Sequence, residues 1–325
     1  NKKIDFLIGT HALFQKTILF KKLGLIIIDE QHKFGVQQRI KFAKKGGVNC
    51  DVLLLSATPI PRTMMMSIYG DMDSSKLTEK PLHRQKILTL SKPENKINDL
   101  WPFLEKKIKN REQIFWVCPL IEDSKKLDFS STKKTFEIVN KKFPKKVGFI
   151  HGSLDQEEKD KVLKKFLNNE ISILVSTTVI EVGIDFPNAT AIIIENSNKF
   201  GLAQLHQLRG RIGRGDKSGT CILLFKNQLS QNAKTRIQIL KKSDDGFYIA
   251  EEDMKLRGYG DIVGFKQSGI KLFKLADPVH HADLFELAEQ NINNLNIDKL
   301  NSPEYKFLLK LFDKVDLIDE ERVSS

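Results

Sequence analysis

The stretch Ile26-Ile27-Ile28-Asp29-Glu30-Gln31-His32 is an apolar run that ends directly in two adjacent carboxylates. Val52-Leu53-Leu54-Leu55 is a second such run, and it ends in Ser56-Ala57-Thr58. Short apolar runs that stop at small or polar residues are typical of buried parallel strands. Ligands of open α/β sheets lie at the carboxyl ends of such strands. The two runs therefore predict α/β strands whose carboxyl ends carry a polar site.

Further runs of the same kind extend this pattern along the chain. Asp5-Phe6-Leu7-Ile8 leads into Gly9-Thr10-His11 and predicts another strand. Residues from about 73 to 93 lack periodicity and are interpreted as a linker. Beyond it, strands are predicted at residues 113–117, 147–150, 171–175, 191–194 and 220–225. Helical patterns separate these strands, which predicts a second α/β unit with a parallel, doubly wound sheet.

The last part of the chain is helical in pattern. Apolar residues recur at helical spacing over residues 229–240, Ser243-Asp244-Asp245-Gly246 breaks the pattern, and a second helix is predicted at residues 249–256. These two segments predict a helical hairpin, followed by a glycine-rich loop and a helical tail from Ala276. We expect domains at residues 1–85, 86–228 and 229–325.

Net charge, cysteine spacing and the length of the apolar runs indicate which class of protein this sequence encodes. The chain has 325 residues and a net charge of +12. A basic balance favours a polyanionic partner, most often nucleic acid, although a lysine-rich solvated surface gives the same charge. The three cysteines have no C-x-x-C spacing and fit buried thiols in a reducing compartment. No apolar run is long enough to span a bilayer, so no membrane partner is expected.

Four motifs occur in an order that resembles the superfamily-two nucleic-acid motors. Motifs II and III correspond to Asp29-Glu30-Gln31-His32 and Ser56-Ala57-Thr58. Motifs V and VI correspond to the segments at residues 177–185 and 207–214. The G-x-x-x-x-G-K-[ST] phosphate loop that should precede them occurs nowhere in the sequence. We therefore expect the C-terminal part of a longer ATP-driven motor, which as given should not bind ATP productively.

Such a motor needs a metal clamp, a polarised water and cations that neutralise the transferring phosphoryl group. Asp29, at the end of a strand, is the candidate Mg²⁺ ligand, and Glu30 is placed to orient or deprotonate the attacking water. Arg211 and Arg214 are the candidate arginine fingers. The alternative interpretation of these two arginines is a basic, glycine-rich surface loop.

The resemblance implies roles for further residues. Residues that couple nucleotide state to DNA are His32, Ser56, Thr58 and Gln207. Residues that contact the nucleotide are Gly183 and Asp185. Residues that contact the DNA backbone are Thr10, His11, Thr177 and Thr178. Threonine hydroxyls and loop amides suit phosphate contacts that do not read sequence.

Longer stretches narrow the resemblance to one family. The segments at residues 29–36, 56–63, 178–185 and 207–215 resemble the RecG family of bacterial fork-reversing DNA helicases, as does the loop at residues 256–269. Lys33 and Tyr259 depart from that pattern, which usually has Arg and Pro there. The resemblance implies two RecA-like lobes, the first partial, then a hairpin that forms a translocation element. It also implies that Arg257 and Gln267 lock the loop to the hairpin.

The resemblance implies an ATP-dependent double-stranded DNA translocase that remodels forks and Holliday junctions in recombination and repair. Its cofactors would be ATP and Mg²⁺, and its partners branched DNA and single-strand DNA-binding protein. We expect a monomer in the bacterial cytoplasm, associated with the nucleoid. Two alternatives stay open. A transcription-repair coupling factor usually has Asp-Glu-Glu where this chain has Asp29-Glu30-Gln31, and a passive DNA-binding module leaves the paired carboxylates and arginines unexplained.

Overall fold

A computed structural model describes most of the chain. The described residues are 4–15, 18–30, 50–56, 75–79, 84–119, 125–177, 185–226, 228–257, 281–293 and 302–311. The chain divides into two compact units, Asn1–Pro59 and Ile60–Ser325. Each unit contains its own parallel sheet. Among the helices described, none combines the length and the apolar character that crossing a membrane requires.

The first unit contains two parallel strands, β1 (Leu25–Ile28) and β2 (Asp51–Leu54). Their register pairs Ile28 with Leu54. Ile26 and Ile28 are buried, whereas the alternate residues Leu25 and Ile27 are exposed. This alternation follows from the two-residue period of a strand, which sends neighbouring side chains to opposite faces. The two strands predicted here are confirmed.

The strand predicted at residues 5–8 is wrong. These residues form no strand, and all four side chains are exposed. The short helix that follows, His11–Phe14, is a 3-10 helix. A run of apolar residues indicates a strand only where a neighbouring strand can satisfy its backbone N–H and C=O groups.

The second unit is built on a six-stranded parallel sheet with the order β3-β8-β7-β4-β6-β5. Its strands are β3 (Leu88–Pro93), β4 (Gln113–Val117), β5 (Val147–Ile150), β6 (Ile173–Ser176), β7 (Ala189–Ile194) and β8 (Thr220–Phe225). The helices between them are α1 (Trp101–Lys109), α2 (Lys125–Lys142), α3 (Gln156–Leu167) and α4 (Leu202–Arg209). The predicted α/β class is confirmed.

The core of this unit lies on both faces of the sheet. Phe115 and Val117 of β4 belong to one buried apolar cluster, and Ile114 and Trp116 belong to the other. Every residue of β4 is buried, as are those of β6 and β7. Central strands of this kind have nearly continuous apolar sequences because helices cover both faces.

Part of the predicted linker is a strand. Leu88–Pro93 forms β3, which pairs in parallel with β8 over its whole length. It is an edge strand, and Pro93 is its last residue. Proline is tolerated at a sheet edge because the edge strand does not need every N–H for pairing. The interpretation of residues 73–93 as a linker is therefore wrong for residues 88–93.

A helical hairpin follows the sheet, as predicted. It consists of α5 (Gln231–Lys242) and α6 (Gly246–Arg257). Ser230 caps α5 by accepting a hydrogen bond from Ala233 N at 3.3 Å. Asp245 accepts one from Phe247 N at 2.9 Å as α6 begins. Two further helices, α7 (Ala282–Asn293) and α8 (Pro303–Leu311), agree with the predicted helical tail.

Glu112 forms a buried ion pair at the amino end of the sheet. Its carboxylate lies 2.6 Å from Lys107 Nζ and also accepts a hydrogen bond from the Thr190 hydroxyl. Burial alone would raise the pKa of Glu112, but the hydrogen bonds from Lys107 and Thr190 outweigh it and lower the pKa. The charged form of Glu112 therefore stabilises the folded state.

We expect Glu112→Gln to destabilise the second unit near neutral pH by about 1.5–3 kcal/mol, the contribution of hydrogen bonds to a charged group. Because the folded pKa is lowered, this stabilisation is present above the ordinary carboxyl pKa. It is lost as pH falls through the folded pKa. Urea unfolding followed by the fluorescence of Trp101 and Trp116, both in the second unit, measures the difference. A difference between the two proteins that stays constant from neutral to acidic pH would contradict the assignment.

The prediction of buried thiols is confirmed for two of the three cysteines. Cys118 and Cys221 are buried, Cys50 is half-buried, and all three are free. Burial raises the pKa of the Cys221 thiol to about 12, although the charge of Arg209 opposes this. A buried thiol with a raised pKa is a poor nucleophile, so Cys221 acts as a packing residue.

Candidate functional site

The first polar cluster lies at the carboxyl end of β1. Asp29 follows the strand, and its Oδ1 accepts a hydrogen bond from Glu30 N at 2.8 Å. Leu55 N donates to Ile28 O at 2.8 Å, which continues the parallel pairing and places Ser56 beside the end of β1. Two predicted site residues, Asp29 and Ser56, thus follow neighbouring strands at one edge of the sheet.

Glu30 adopts a backbone conformation that is unusual for its residue type. Its φ is 50°, in the left-handed region that favours glycine. Non-glycine residues in this region are strained and are found often at functional sites. The strain is consistent with a role for Glu30 beyond packing, because a glycine would satisfy the turn at lower cost.

Other predicted residues of the first unit are only partly described. Thr10 is exposed and precedes the 3-10 helix, where its carbonyl accepts a hydrogen bond from Leu13 N at 3.0 Å. For His11 the backbone alone is described. His32 and Thr58 lie outside the described residues. The roles predicted for all four stay predictions.

The second cluster is the turn after α4, which we call the arginine turn (residues 210–214). Gln207 lies half-buried in the last part of α4, and Gly210 ends that helix. Arg211 N donates to Leu208 O at 3.1 Å, and Gly213 N donates to Ala189 O at 3.1 Å. These backbone bonds fix the arginine turn against the start of β7.

Arg214 folds back over this turn. Its Nε donates to Gly210 O at 3.2 Å, and its Nη1 lies 3.6 Å from Asp185 Oδ1. Arg84, which precedes β3, donates from Nη2 to the same Gly210 oxygen at 3.3 Å. The structure therefore brings together two predicted residues, Asp185 and Arg214, and adds Arg84, which the sequence analysis missed.

Gly213 has a φ of +67°, so we expect Gly213→Ala to destabilise the second unit by about 1–2 kcal/mol, the cost of the left-handed conformation. Space is sufficient, since an added Cβ would lie 3.4 Å from Ile87 Cγ1. Urea unfolding followed by tryptophan fluorescence measures the change. Gly152→Ala is the matched control, because its Cβ would meet nothing within 4 Å and its φ is not left-handed. Equal effects at the two positions would contradict the argument.

The carboxyl end of β6 carries two buried hydroxyls. Ser176 and Thr177 are 1% and 2% exposed, and neither Oγ1 of Thr177 nor Oγ of Ser176 has a hydrogen-bond partner in the described structure. An unpaired buried hydroxyl is costly unless a ligand or a neighbouring segment satisfies it. Thr178 and Gly183 lie outside the described residues, and the DNA contact predicted for Thr177 stays a prediction.

Glu195 forms a second polar network at this edge of the sheet, which the sequence analysis missed. Its carboxylate accepts hydrogen bonds from Trp116 Nε1 at 2.9 Å and Thr135 Oγ1 at 3.1 Å. Burial raises the pKa of Glu195, and these hydrogen bonds oppose the shift. The network ties the ends of β4 and β7 to α2 and so holds the carboxyl edge in place.

The hairpin is attached to the sheet unit by an arginine. Arg236 of α5 donates to the carbonyl oxygens of Phe200 and Asn198, which lie in the turn after β7. The predicted locking residue Arg257 ends α6 with only its backbone described, and Gln267 lies outside the described residues. Their predicted contact is therefore untested.

Three segments of the chain match known protein families. Residues 1–67 match the DEAD/DEAH box helicases, and residues 95–216 match the helicase conserved C-terminal domain. Residues 243–318 match the C-terminal part of domain 3 of the ATP-dependent DNA helicase RecG. The chain is 44% identical to RecG of Bacillus subtilis over 99% of its length and 45% identical to RecG of Thermotoga maritima over 94%. The chain belongs to the RecG family. It spans 48% and 39% of those two RecG proteins.

Solved structures agree with this family. A structure of RecG bound to a three-way DNA junction matches 88% of this chain at 43% identity with a TM-score of 0.66, and the match covers 36% of that protein. A variant of the yeast protein Dbp5, bound to RNA and ADP BeF3, matches 76% of this chain and 67% of its own length, at 19% identity and with a TM-score of 0.52. The second likeness shows a shared helicase fold and no more.

Arg209 connects two of the segments that match helicase families, residues 95–216 and residues 243–318. Its guanidinium Nη1 donates to Leu240 O at 2.7 Å and Ser243 O at 2.9 Å, and the residue is 2% exposed. Leu240 lies in the last turn of α5 and Ser243 is the C-cap residue, and carbonyls at a helix C-terminus have no partner within the helix. Arg209 thus fixes the helix that precedes the arginine turn to the end of α5.

Proposed function

We propose that this chain is the motor part of an ATP-dependent DNA helicase that translocates on double-stranded DNA and remodels branched DNA. The observation that carries the proposal is the match to RecG on a three-way DNA junction, at 43% identity over 88% of the chain. A net charge of +12 supports a polyanionic partner. Replication-fork reversal and Holliday-junction branch migration in recombination and repair are the tasks that we infer.

The chemistry assigned to the first unit requires a metal ion and an activated water. Asp29 fits a Mg²⁺ ion, because it offers a carboxylate at a strand end, and Mg²⁺ is typically bound by one or two carboxylates together with water and phosphate oxygens. One of its oxygens already accepts from Glu30 N, which orients the carboxylate. When bound, the ion would neutralise charge on the phosphate oxygens. Glu30 would accept a proton from the attacking water.

The second unit supplies positive charge. Arg211 and Arg214 would stabilise the charge that spreads over the transferring phosphoryl group. Gln207, Ser56, His32 and Thr58 are proposed to link nucleotide state to DNA contact, and Gly183 and Asp185 to contact the nucleotide. Thr10, His11, Thr177 and Thr178 are proposed to contact the DNA backbone.

The hairpin is proposed to act as a translocation element. Arg209 and Arg236 support this, because they bind the hairpin at the two ends of α4: Arg236 contacts the turn that precedes this helix, and Arg209 is its last residue. A rigid attachment can convert a displacement of the arginine turn into a displacement of α5 and α6. Arg257 and Gln267 are proposed to lock the following loop to this hairpin. We further propose a monomer that acts in the bacterial cytoplasm at the nucleoid and cooperates with single-strand DNA-binding protein.

The decisive experiment is ATP-driven unwinding of a naked synthetic replication fork by a full-length protein that carries this sequence. Unwinding that requires ATP supports the proposal. Failure on naked forks with release of a stalled RNA polymerase instead would favour the transcription-repair coupling factor. Fork binding without any ATP hydrolysis would favour a passive DNA-binding module.

A further inference from the structure

The carbonyl oxygen of Gly210 receives two guanidinium groups. Arg84 Nη2 lies 3.3 Å from it and Arg214 Nε lies 3.2 Å from it. The backbone N–H groups of Arg211 and Gly213 donate to other carbonyls, so the Gly210 oxygen is left for these side chains. A carbonyl oxygen has two lone pairs and can accept both donors. Two cations therefore share one acceptor at the C-terminus of α4, where positive charge is favoured.

The positive charges of Arg84 and Arg214 repel each other. Burial and the nearby charge of Arg214 lower the pKa of Arg84, and Asp244 partly opposes this. The described carboxylate that pairs with Arg214 is Asp185, at 3.6 Å, and both side chains are substantially exposed. An exposed ion pair contributes little. The observed position of Arg214 is thus held by a shared carbonyl and a weak ion pair, against repulsion from Arg84.

Arg84 and Arg214 are both exposed side chains near anchored backbone. Arg84 lies three residues before Ile87, which packs against the main apolar core, and Leu88 N donates to Gly219 O at 2.9 Å. Arg214 follows Gly213, whose N donates to Ala189 O at 3.1 Å, and its side chain is 37% exposed. Repulsion between the two charges therefore weakens the hold of the Gly210 oxygen on both side chains, including that of Arg214.

We propose that Arg84 is a positioning residue for Arg214. It keeps one lone pair of the Gly210 oxygen occupied, and its charge weakens the attachment of Arg214 to the same oxygen. Arg214 then moves readily to a phosphoryl group, whose negative charge replaces that of Asp185. Arg84 itself makes no contact with the reacting atoms. This inference rests on the proposed function, because it assigns ATP hydrolysis as the task of Arg214.

The test measures kcat and KM for fork-stimulated ATP hydrolysis by the full-length protein. Arg84→Gln keeps an N–H donor for Gly210 but removes the charge, and should lower kcat by about 10-fold, which corresponds to ~1.4 kcal/mol in activation free energy. The KM for ATP should stay within about twofold, because the effect is confined to the transition state. Arg84→Lys restores the charge and should recover most of the activity. Lys86→Gln, an exposed neighbour with the same charge change, is the matched control.

Two results would overturn the inference. One is an unchanged kcat in Arg84→Gln, and the other is an equal loss in Arg84→Gln and Arg84→Lys, which would indicate a structural role. A double-mutant cycle adds a third criterion. In an Arg214→Ala background, single-turnover hydrolysis should not fall further on Arg84→Gln, whereas additive losses would show that Arg84 acts independently. A wild-type protein that hydrolyses no ATP on forks would refute the proposed function itself, so the two failures are distinguishable.

Discussion

Glu30→Gln in a full-length protein that carries this sequence should lower ATP turnover by about 10²–10⁴-fold, the contribution of a positioned general base. Glu30 follows Asp29 at the end of β1 with a φ of 50°, a conformation that a packing role does not require. Glutamine has nearly the same shape as glutamate, so the turn should be kept. It cannot accept a proton from water, and activation of the attacking water is therefore lost. Fork binding should be unaffected, because binding depends on phosphate contacts made elsewhere.

Steady-state ATP hydrolysis with saturating fork DNA measures the loss, and fluorescence anisotropy with the same fork measures binding. Glu170→Gln is the matched control, since it removes one carboxylate from an exposed position at the end of the turn after α3. The control should hydrolyse ATP at the wild-type rate. Normal turnover in Glu30→Gln would remove Glu30 as the base and, with it, the assignment of the carboxylate pair.

The strands of the second unit were predictable where burial is two-sided. The residues of β4 and β7 are buried throughout, and residues 114–117 and 191–194 of these strands are apolar without interruption. The boundary of β6 was less accurate, because the strand continues to Ser176, which is polar and yet 1% exposed. Periodicity detects burial of apolar side chains and cannot detect a buried hydroxyl.

The edge strand β3 could not be recognised from its sequence. Leu-Thr-Leu-Ser-Lys-Pro contains only two apolar residues, both leucines at alternate positions, and it pairs with a single neighbour, β8. The opposite error was made at residues 5–8, where apolar residues are exposed and form no strand. In both places the outcome depends on which backbone lies alongside, and a local pattern does not contain this information.

In the candidate site, residues that belong to a sequence motif were predicted, and residues that bind backbone carbonyls were missed. Asp185 was predicted from the resemblance of motif V and Arg214 from the spacing of motif VI, and the structure places them 3.6 Å apart. Arg84 and Arg209 were missed, because their hydrogen bonds go to backbone carbonyls of Gly210, Leu240 and Ser243. Any residue provides a carbonyl, so such contacts leave no signature in residue type. They are found only when the fold brings distant segments together.

Arg214→Ala should lower kcat for fork-stimulated ATP hydrolysis by about 10³-fold or more, the contribution of an arginine finger in related motors. The side chain touches only Gly210 O and the exposed Asp185 among its described contacts, so its removal should change stability little. Arg214→Lys should recover only part of the loss. Lysine keeps the charge but lacks the planar guanidinium that can bind two phosphoryl oxygens at once.

Single-turnover hydrolysis separates this loss from slower product release, and urea unfolding checks that the second unit is intact. Arg111→Ala is the matched control, because it removes an exposed arginine of the second unit that lies just before β4, outside the arginine turn. If Arg214→Ala hydrolyses ATP at the wild-type rate, Arg214 acts only within the protein, on Gly210 and Asp185. The arginine turn would then be a structural cap on α4, and the charge for phosphoryl transfer would have to come from Arg211 alone.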